Sequence, residues 1–267
     1  MSKFLVIGGS GVMGQAAIKA VREKYGDEAN IIANWFGKED PGFTIEGATK
    51  TIFGDISDPS CIAEIQAEND EPFEYMFYAT ALGEVGVPIA EASEESITQS
   101  NRLSFDPIPV LEEKLNIKTI VTYSTFYVIR HQLATYGAMG YSKEAIEKWT
   151  LESGKSHRAC IRAGLFESQS SRGIKLLLRK SAKNPENLKD PLLKSYFSGK
   201  SSKDGIKQFE EGIFSEEKEA YGDCRTNAED LYQSHLTLFE SNDPVFVNVC
   251  GKKIWLSKEP QLLKDYF

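Results

Sequence analysis

The chain has 267 residues, a formal net charge of −8, and 41% hydrophobic and 26% charged residues, the make-up of a soluble globular protein with room for one large domain or a domain and a small cap. The acidic balance argues against the basic face that nonspecific nucleic-acid binding needs, and no run reaches the roughly 18 apolar residues that span a membrane. Cys61, Cys160, Cys224 and Cys250 are scattered without a CxxC pair, and with three histidines in the chain they predict free thiols and no metal site.

Lys3–Ile7 reads as a strand, and no apolar leader precedes it, so a cytoplasmic protein is expected. A glycine cluster, Gly8-Gly9-Ser10-Gly11-Val12-Met13-Gly14, follows and passes into helical spacing over Met13–Lys24. Strand, tight turn and helix in that order form a phosphate cradle. Gly8 permits the turn, Gly11 lets the backbone close on a pyrophosphate, and Gly14 lets the helix pack on the sheet. Ser10, Val12 and Met13 lie between them at the helix N-terminus.

Further strands are predicted at Asn30–Phe36, Lys50–Phe53, Tyr75–Ala79, Lys118–Tyr123 and His157–Arg162. Helices are predicted at Ser60–Asn69, roughly Glu91–Leu115 with a break at Asp106-Pro107, and Tyr136–Ser153. This alternation predicts an α/β fold: a Rossmann-type, doubly wound parallel sheet covered on both faces. Ligands then bind at the carboxyl ends of the strands. The second strand ends without the acid that holds an adenosine 2′-hydroxyl. Asn34 and Trp35 stand there and Lys38 follows, which leans toward NADP, with NAD still admitted. Past residue 166 the pattern breaks up around two helix-like stretches, Gly173–Ala182 and Pro191–Phe197. A late strand, Pro244–Val249, precedes a short helix or tail.

The spacing Gly8-x-x-Gly11-x-x-Gly14 resembles the fingerprint of extended and atypical short-chain dehydrogenase/reductases, with Ile7 where the family usually has Thr. The resemblance implies adenine contacts from Asp55 and Ile56 in Gly54-Asp55-Ile56-Ser57-Asp58. It implies a cofactor-lining role for Ala79, Thr80 and Ala81, and a nicotinamide-side turn in Arg162-Ala163-Gly164-Leu165, with Ala163 in place of Pro. It divides the chain into a core, residues 1–166, and a region 167–267 holding a small substrate cap and a returning helix and strand, the helix starting near Ala228. It also admits a homodimer through the helices around Lys143, with a small-molecule substrate as the remaining partner.

Carbonyl chemistry in that superfamily uses a Tyr, a Lys four residues later, and a Ser or Thr at the end of the fifth strand. In Tyr136-Gly137-Ala138-Met139-Gly140-Tyr141-Ser142-Lys143, the Tyr position is Met139, and a thioether donates no proton. Lys143 stays in register, as do Ser124 and Thr125. Tyr136, two helical turns before Lys143, makes the segment resemble the active-site signature of enoyl-acyl-carrier-protein reductases. Hydride delivery to the β-carbon of a conjugated alkene puts the enolate oxygen farther from the nicotinamide, within reach of such a donor. The expectation is an NAD(P)H-dependent reductase with Tyr136 as oxyanion stabiliser, Lys143 on the ribose, and Ser124 or Thr125 orienting the substrate. Catalysis by Tyr123 or Tyr141, a decommissioned nucleotide-binding sensor or scaffold, and a sugar-nucleotide epimerase or dehydratase are the alternatives.

Overall fold

The computed structural model describes residues 2–37 and 42–266. Among them eight strands form one sheet: β1 (Lys3–Ile7), β2 (Asn30–Trp35), β3 (Lys50–Phe53), β4 (Phe73–Tyr78), β5 (Ile117–Thr125), β6 (His157–Ala163), β7 (Phe246–Cys250) and β8 (Lys253–Ser257). Their order is β3-β2-β1-β4-β5-β6-β7-β8. Every neighbouring pair is parallel except β7 with β8. The direction of winding reverses between β1 and β4, so a crevice opens at the carboxyl ends of those two strands.

Strand residues alternate between two apolar layers, as a sheet covered on both faces requires. Phe4 and Val6 of β1 face the layer under α1 (Val12–Tyr25) and α10 (Ala228–Glu240). Leu5 and Ile7 face the opposite layer, built with α2 (Pro59–Ala67), α3 (Glu94–Ser104), α4 (Pro107–Lys114) and α6 (Gly137–Leu151). After the short α5 (Arg130–Leu133), the helices α7 (Gln169–Ser181), α8 (Pro191–Phe197) and α9 (Ser202–Tyr221) pack around Leu178, Leu193, Phe197, Ile206, Phe209 and Ile213.

The predicted doubly wound parallel sheet is therefore the observed one, and α10 and β7 return to extend it. The stretch expected as a helix over Glu91–Leu115 is two helices, because Phe105 leaves helical geometry before Pro107 opens α4. Three of these elements escaped the sequence reading, the first being the four-residue α5. The twenty-residue α9 carries its apolar face at Ile206, Phe209 and Ile213 and stops at Gly222, φ +90°. Between β7 and the expected C-terminal helix or tail, which carries a short 3-10 turn at Leu263–Asp265, lies the antiparallel strand β8, turned back at Gly251 (φ +55°). Among the described residues no helix is long and apolar enough to cross a membrane, and no group of side chains could hold a metal ion.

Two buried ion pairs sit inside this frame. Arg158 pairs with Glu112 at 2.5 Å and stacks on Trp149. Arg162 on β6 makes a two-pronged contact with Glu147 of α6, Nε to Oε1 at 3.0 Å and Nη2 to Oε2 at 2.7 Å. Glu147 has no exposed surface. It also accepts hydrogen bonds from Ser124 Oγ (2.6 Å), Gln261 N (2.7 Å) and Gln261 Nε2 (3.0 Å). Removing one partner of such a pair leaves an uncompensated charge in the core. Arg162→Met is expected to cost about 3–5 kcal/mol, read as a lower urea midpoint; a midpoint within error of the parent would show that the pair carries no such weight.

Candidate active site

The glycine turn lies where the crevice opens. Gly8 has φ +76°, and a Cβ there would stand 2.9 Å from the Ala79 carbonyl carbon and oxygen and 3.1 Å from Thr80 N. Only glycine lets the β1 turn lie against the end of β4 this closely. The amides of Gly8 and Gly9 both donate to the Asn34 carbonyl, at 3.2 and 3.1 Å. A Cβ on Gly14 would run into the Gly8 carbonyl oxygen and lie 2.7 Å from Gly9 Cα, so α1 needs glycine to seat on the turn. Gly11 differs: its φ is −76°, and an added Cβ would meet only the Gly8 oxygen, at 3.4 Å. No side chain caps α1 and no acid occupies its first turn, which leaves its N-terminal amides and positive dipole end for an anion. Ser10 is exposed and Val12 half-buried. The Met13 side chain belongs to the core, so its part in binding reduces to its backbone amide.

Ala79, Thr80 and Ala81 are half-buried beside this turn, and the two segments form one wall and floor. The adenine end departs from expectation at two side chains. Asn34 is 2% exposed and its Nδ2 donates to the Ile52 and Gly54 carbonyls, both at 3.2 Å; it ties β2 to β3. Ile56 is buried in the layer with Cys61 and Ile62, so only its backbone can meet a ligand. Trp35 is half-buried between Phe43 and Phe53, with ring centroids at 5.1 and 5.8 Å. Lys38 lies outside the described residues. Asp55 sits at the end of β3, its carboxylate accepting from Ser57 N (2.9 Å), Ser57 Oγ (2.6 Å) and Arg102 (3.1 Å). Burial works against its charge, but the Ser57 hydrogen bonds and the Arg102 guanidinium outweigh it and hold the carboxyl below its usual range. Asp58 caps α2 through Ser60 N.

On α6, Lys143 turns inward. Its Nζ donates to the Tyr123 carbonyl at 2.9 Å, and burial pushes the ammonium down to about 8. An ammonium has three donors, and no second acceptor contacts it among the described residues. Ser124 spends its one proton on Glu147, and Thr125 Oγ1 donates to the Ala163 carbonyl at 2.8 Å. In this arrangement both hold the sheet together rather than orient a substrate oxygen. Tyr123 is likewise committed, its hydroxyl 2.7 Å from His235 Nε2. His235 Nδ1 lies 2.8 Å from the Leu231 carbonyl and so carries the proton, and burial holds the ring neutral, its pKa down to about 4.

Tyr136 and Met139 do not share the side that seven-residue spacing predicts. The helix begins at Gly137, whose φ of +48° breaks the helical phase between Tyr136 and Lys143. The Tyr136 ring packs on the cluster of Ile89, Tyr127, Val128 and Leu263. Its hydroxyl has no hydrogen-bond partner among the described residues, and burial pushes it up to about 12. Met139 Sδ faces α3, accepting from Ser100 Oγ at 3.3 Å and Ser104 Oγ at 3.7 Å. Ser142 joins that cluster, donating to Asn101 Oδ1 at 2.7 Å. The segment after β4 covers it through Gly86 N to Thr135 O (2.6 Å) and Gly137 N to Val87 O (3.0 Å).

Beyond β6, Leu165 and Phe166 line a cleft of about 320 Å³ between α7, α9 and the segment before α10. Its charged walls are Lys175, ion-paired with Glu167 and Glu210, and Arg225, ion-paired with Glu211. The sequence reading missed Glu147 and Glu217. For Glu147 the signal was present: a glutamate one turn after Lys143 on the inward stripe, opposite an arginine inside the apolar run Ala159–Leu165.

No family model and no curated protein sequence matches the chain. Solved structures do resemble it. A NAD+-bound xylitol dehydrogenase superposes with a TM-score of 0.65 at 13% identity, over 94% of this chain and 98% of that one. A short chain dehydrogenase family protein from Francisella tularensis gives 0.62 at 18% identity, over 93% and 97%. A short chain dehydrogenase from Burkholderia cenocepacia in complex with NADP gives 0.59 at 13% identity, over 92% and 87%. The chain thus has the fold of the short-chain dehydrogenases, and at these identities the likeness is one of fold.

The two glycines separate packing from binding. Gly11→Val is expected to keep the parent's melting temperature, since its Cβ meets only the Gly8 oxygen at ordinary distance, and to weaken dinucleotide affinity at least about tenfold, the equivalent of ~1.4 kcal/mol. Gly14→Ala is expected to lower the melting temperature. Calorimetry showing unchanged NADPH affinity in Gly11→Val would remove the groove assignment.

Proposed function

We propose that the protein is an NAD(P)H-dependent oxidoreductase of the short-chain dehydrogenase/reductase kind, reducing a conjugated enoyl or related carbonyl compound. The observation that carries this reading is Lys143: a buried ammonium with spare donors, on the helix that follows β5, in a fold whose crevice holds an uncapped helix N-terminus. The dinucleotide would lie along Gly8–Gly14 and Ala79–Ala81, with Lys143 on the ribose hydroxyls and Leu165 beside the nicotinamide, and would supply the hydride when bound. The lack of an acid at the end of β2, where Asn34 and Trp35 stand, favours NADP and leaves NAD possible; of the similar structures, one is NAD+-bound and another is in complex with NADP.

In this reading Tyr136 is the group for the substrate oxygen. Its hydroxyl is uncommitted, unlike Ser124, Thr125 and Tyr123. A hydroxyl at about 12 stays protonated at neutral pH and can donate a hydrogen bond to a developing enolate. The likeness to enoyl-acyl-carrier-protein reductases is one of residue order alone, since Gly137 breaks the helical phase between Tyr136 and Lys143. The extended or atypical branch is proposed from the glycine spacing.

A second reading rests on a specific observation. Met139 stands at the usual proton-donor position, 6% exposed and held by Ser100 and Ser104, which suits a nucleotide-binding protein without chemistry. Dinucleotide oxidation across a panel of enoyl thioesters, enones and enals decides between them. The first reading expects turnover in the parent and a loss of about 10²-fold or more in kcat for Tyr136→Phe, the range for removing a positioned proton-transfer group, with NADPH affinity unchanged. Tight NADPH binding without turnover on any member would establish the second.

A further inference from the structure

Among the buried carboxyls that the reading above does not use, one borders the cleft. Glu217, on α9, is 1% exposed. Its Oε1 accepts the Leu165 amide at 2.6 Å, across the boundary between the cap helix and the segment that follows β6. Gly164 is confined beside it: a Cβ there would stand 3.1 Å from Glu217 Oε1, 2.9 Å from Thr226 Oγ1 and 3.1 Å from Cys250 Sγ. Leu165, Phe166 and Thr226 are also walls of the cleft. Among the described residues, Glu217 Oε2 is buried with no hydrogen-bond partner.

We propose that Glu217 is a positioning residue for the cleft, holding the Leu165–Phe166 wall to α9 through the Leu165 amide while its carboxyl is neutral and releasing it on ionisation. The inference rests on the reading of Leu165 as nicotinamide-side only for its link to the cofactor. Its physical basis is the company Glu217 keeps. On α9 its neighbour is Glu216, whose charge repels. On β7 it faces the Cys250 thiol, whose Sγ donates to the Asp223 carbonyl at 3.0 Å. From the segment before α10 come Cys224 and Asp223, and from the end of α9 Tyr221. The post-β6 segment offers the Leu165 amide. Lys218, next on α9, and Arg225 act on Asp223 and Cys224, and no cation is set against Glu217. Burial therefore raises the carboxyl to about 7, against the opposing Leu165 amide and Cys250 thiol.

The sign follows from linkage. A carboxyl whose folded pKa lies above its ordinary 4.5 favours the closed wall below that ordinary value. The advantage falls as pH rises toward about 7, and above it the buried charge carries its full cost. Opening the wall to water relieves that cost.

The test is hydrogen–deuterium exchange of the segment 164–168 in the full chain without cofactor, from pH 5.5 to 8.5 and corrected for intrinsic exchange. Parent protein should lose protection at least about tenfold between pH 5.5 and about 7 and level off above it. Glu217→Gln, which keeps an acceptor for Leu165 but cannot ionise, should stay protected throughout. Glu217→Ala should be unprotected at every pH, with α9 amides outside the contact unchanged. Flat protection in the parent, or Glu217→Gln following the parent, overturns the proposal. NADPH affinity measured alongside should weaken as pH rises toward 7 in the parent and not in Glu217→Gln. The exchange pattern without any NADPH binding would support the positioning role and refute the reading of the groove.

Discussion

The buried carboxylate of Glu147 is the constraint around which the centre of the molecule is arranged. A charge with no exposed surface is tolerable only when paired and fully hydrogen-bonded, and Glu147 meets that demand by drawing on three places in the chain. Arg162 comes from β6, Ser124 from the end of β5, and Gln261 arrives from beyond β8 with both its backbone and side-chain donors. Arg162 in turn donates to Asn248 Oδ1 at 3.0 Å, and Asn248 reaches Ser257 Oγ and the Trp255 carbonyl across the β7–β8 pair. One acid thus sets the relation of α6 to β5, β6 and the last two strands.

The same constraint decides which residues are free for chemistry. Ser124 occupies the position where a substrate-orienting hydroxyl is expected, yet its proton satisfies Glu147. Lys143, one turn earlier on α6, is held by a single backbone carbonyl and keeps two donors. The neighbouring side chains differ in availability because one must neutralise a buried charge and the other is itself a buried charge awaiting a partner. The groove at Gly8–Gly14 shows the complementary logic. Gly8 and Gly14 are fixed by contacts within the protein, while Gly11 is left open to the crevice.

Much of the architecture was legible in the sequence because it follows from local rules. Apolar runs of five or six residues separated by helical spacing define a parallel sheet, and β1, β3 and α8 fall on their predicted bounds. The turn positions of Gly8 and Gly14 were legible because a tight strand-to-helix turn needs glycine at fixed offsets. What was not legible depends on non-local pairing. Asn34 stood at the right strand end for a ribose contact, but its partners are carbonyls on β3. Met13 and Ile56 lie in motif segments, yet their side chains fill the core. Tyr136 kept the spacing of a catalytic tyrosine, and the left-handed Gly137 dissolved the helical phase on which that spacing depends. Helix α9 was hidden because its apolar residues are sparse among lysines and glutamates and its partners lie on α7 and α8.

The contact between Glu147 and Gln261 spans 114 positions of sequence, and that distance bears on how the molecule acquires its structure. Contacts of such separation form late, since the chain entropy of closing the loop must be met first. During synthesis, β5, α6 and β6 can assemble with Arg162 facing Glu147, but two of the carboxylate's donors are not yet made. Leu263 N on Glu144 and the Tyr127 hydroxyl on the Gln261 carbonyl are completed by the same stretch. The nascent core therefore holds an incompletely satisfied anion until residues 261–263 emerge, and its final cooperative closure waits for them.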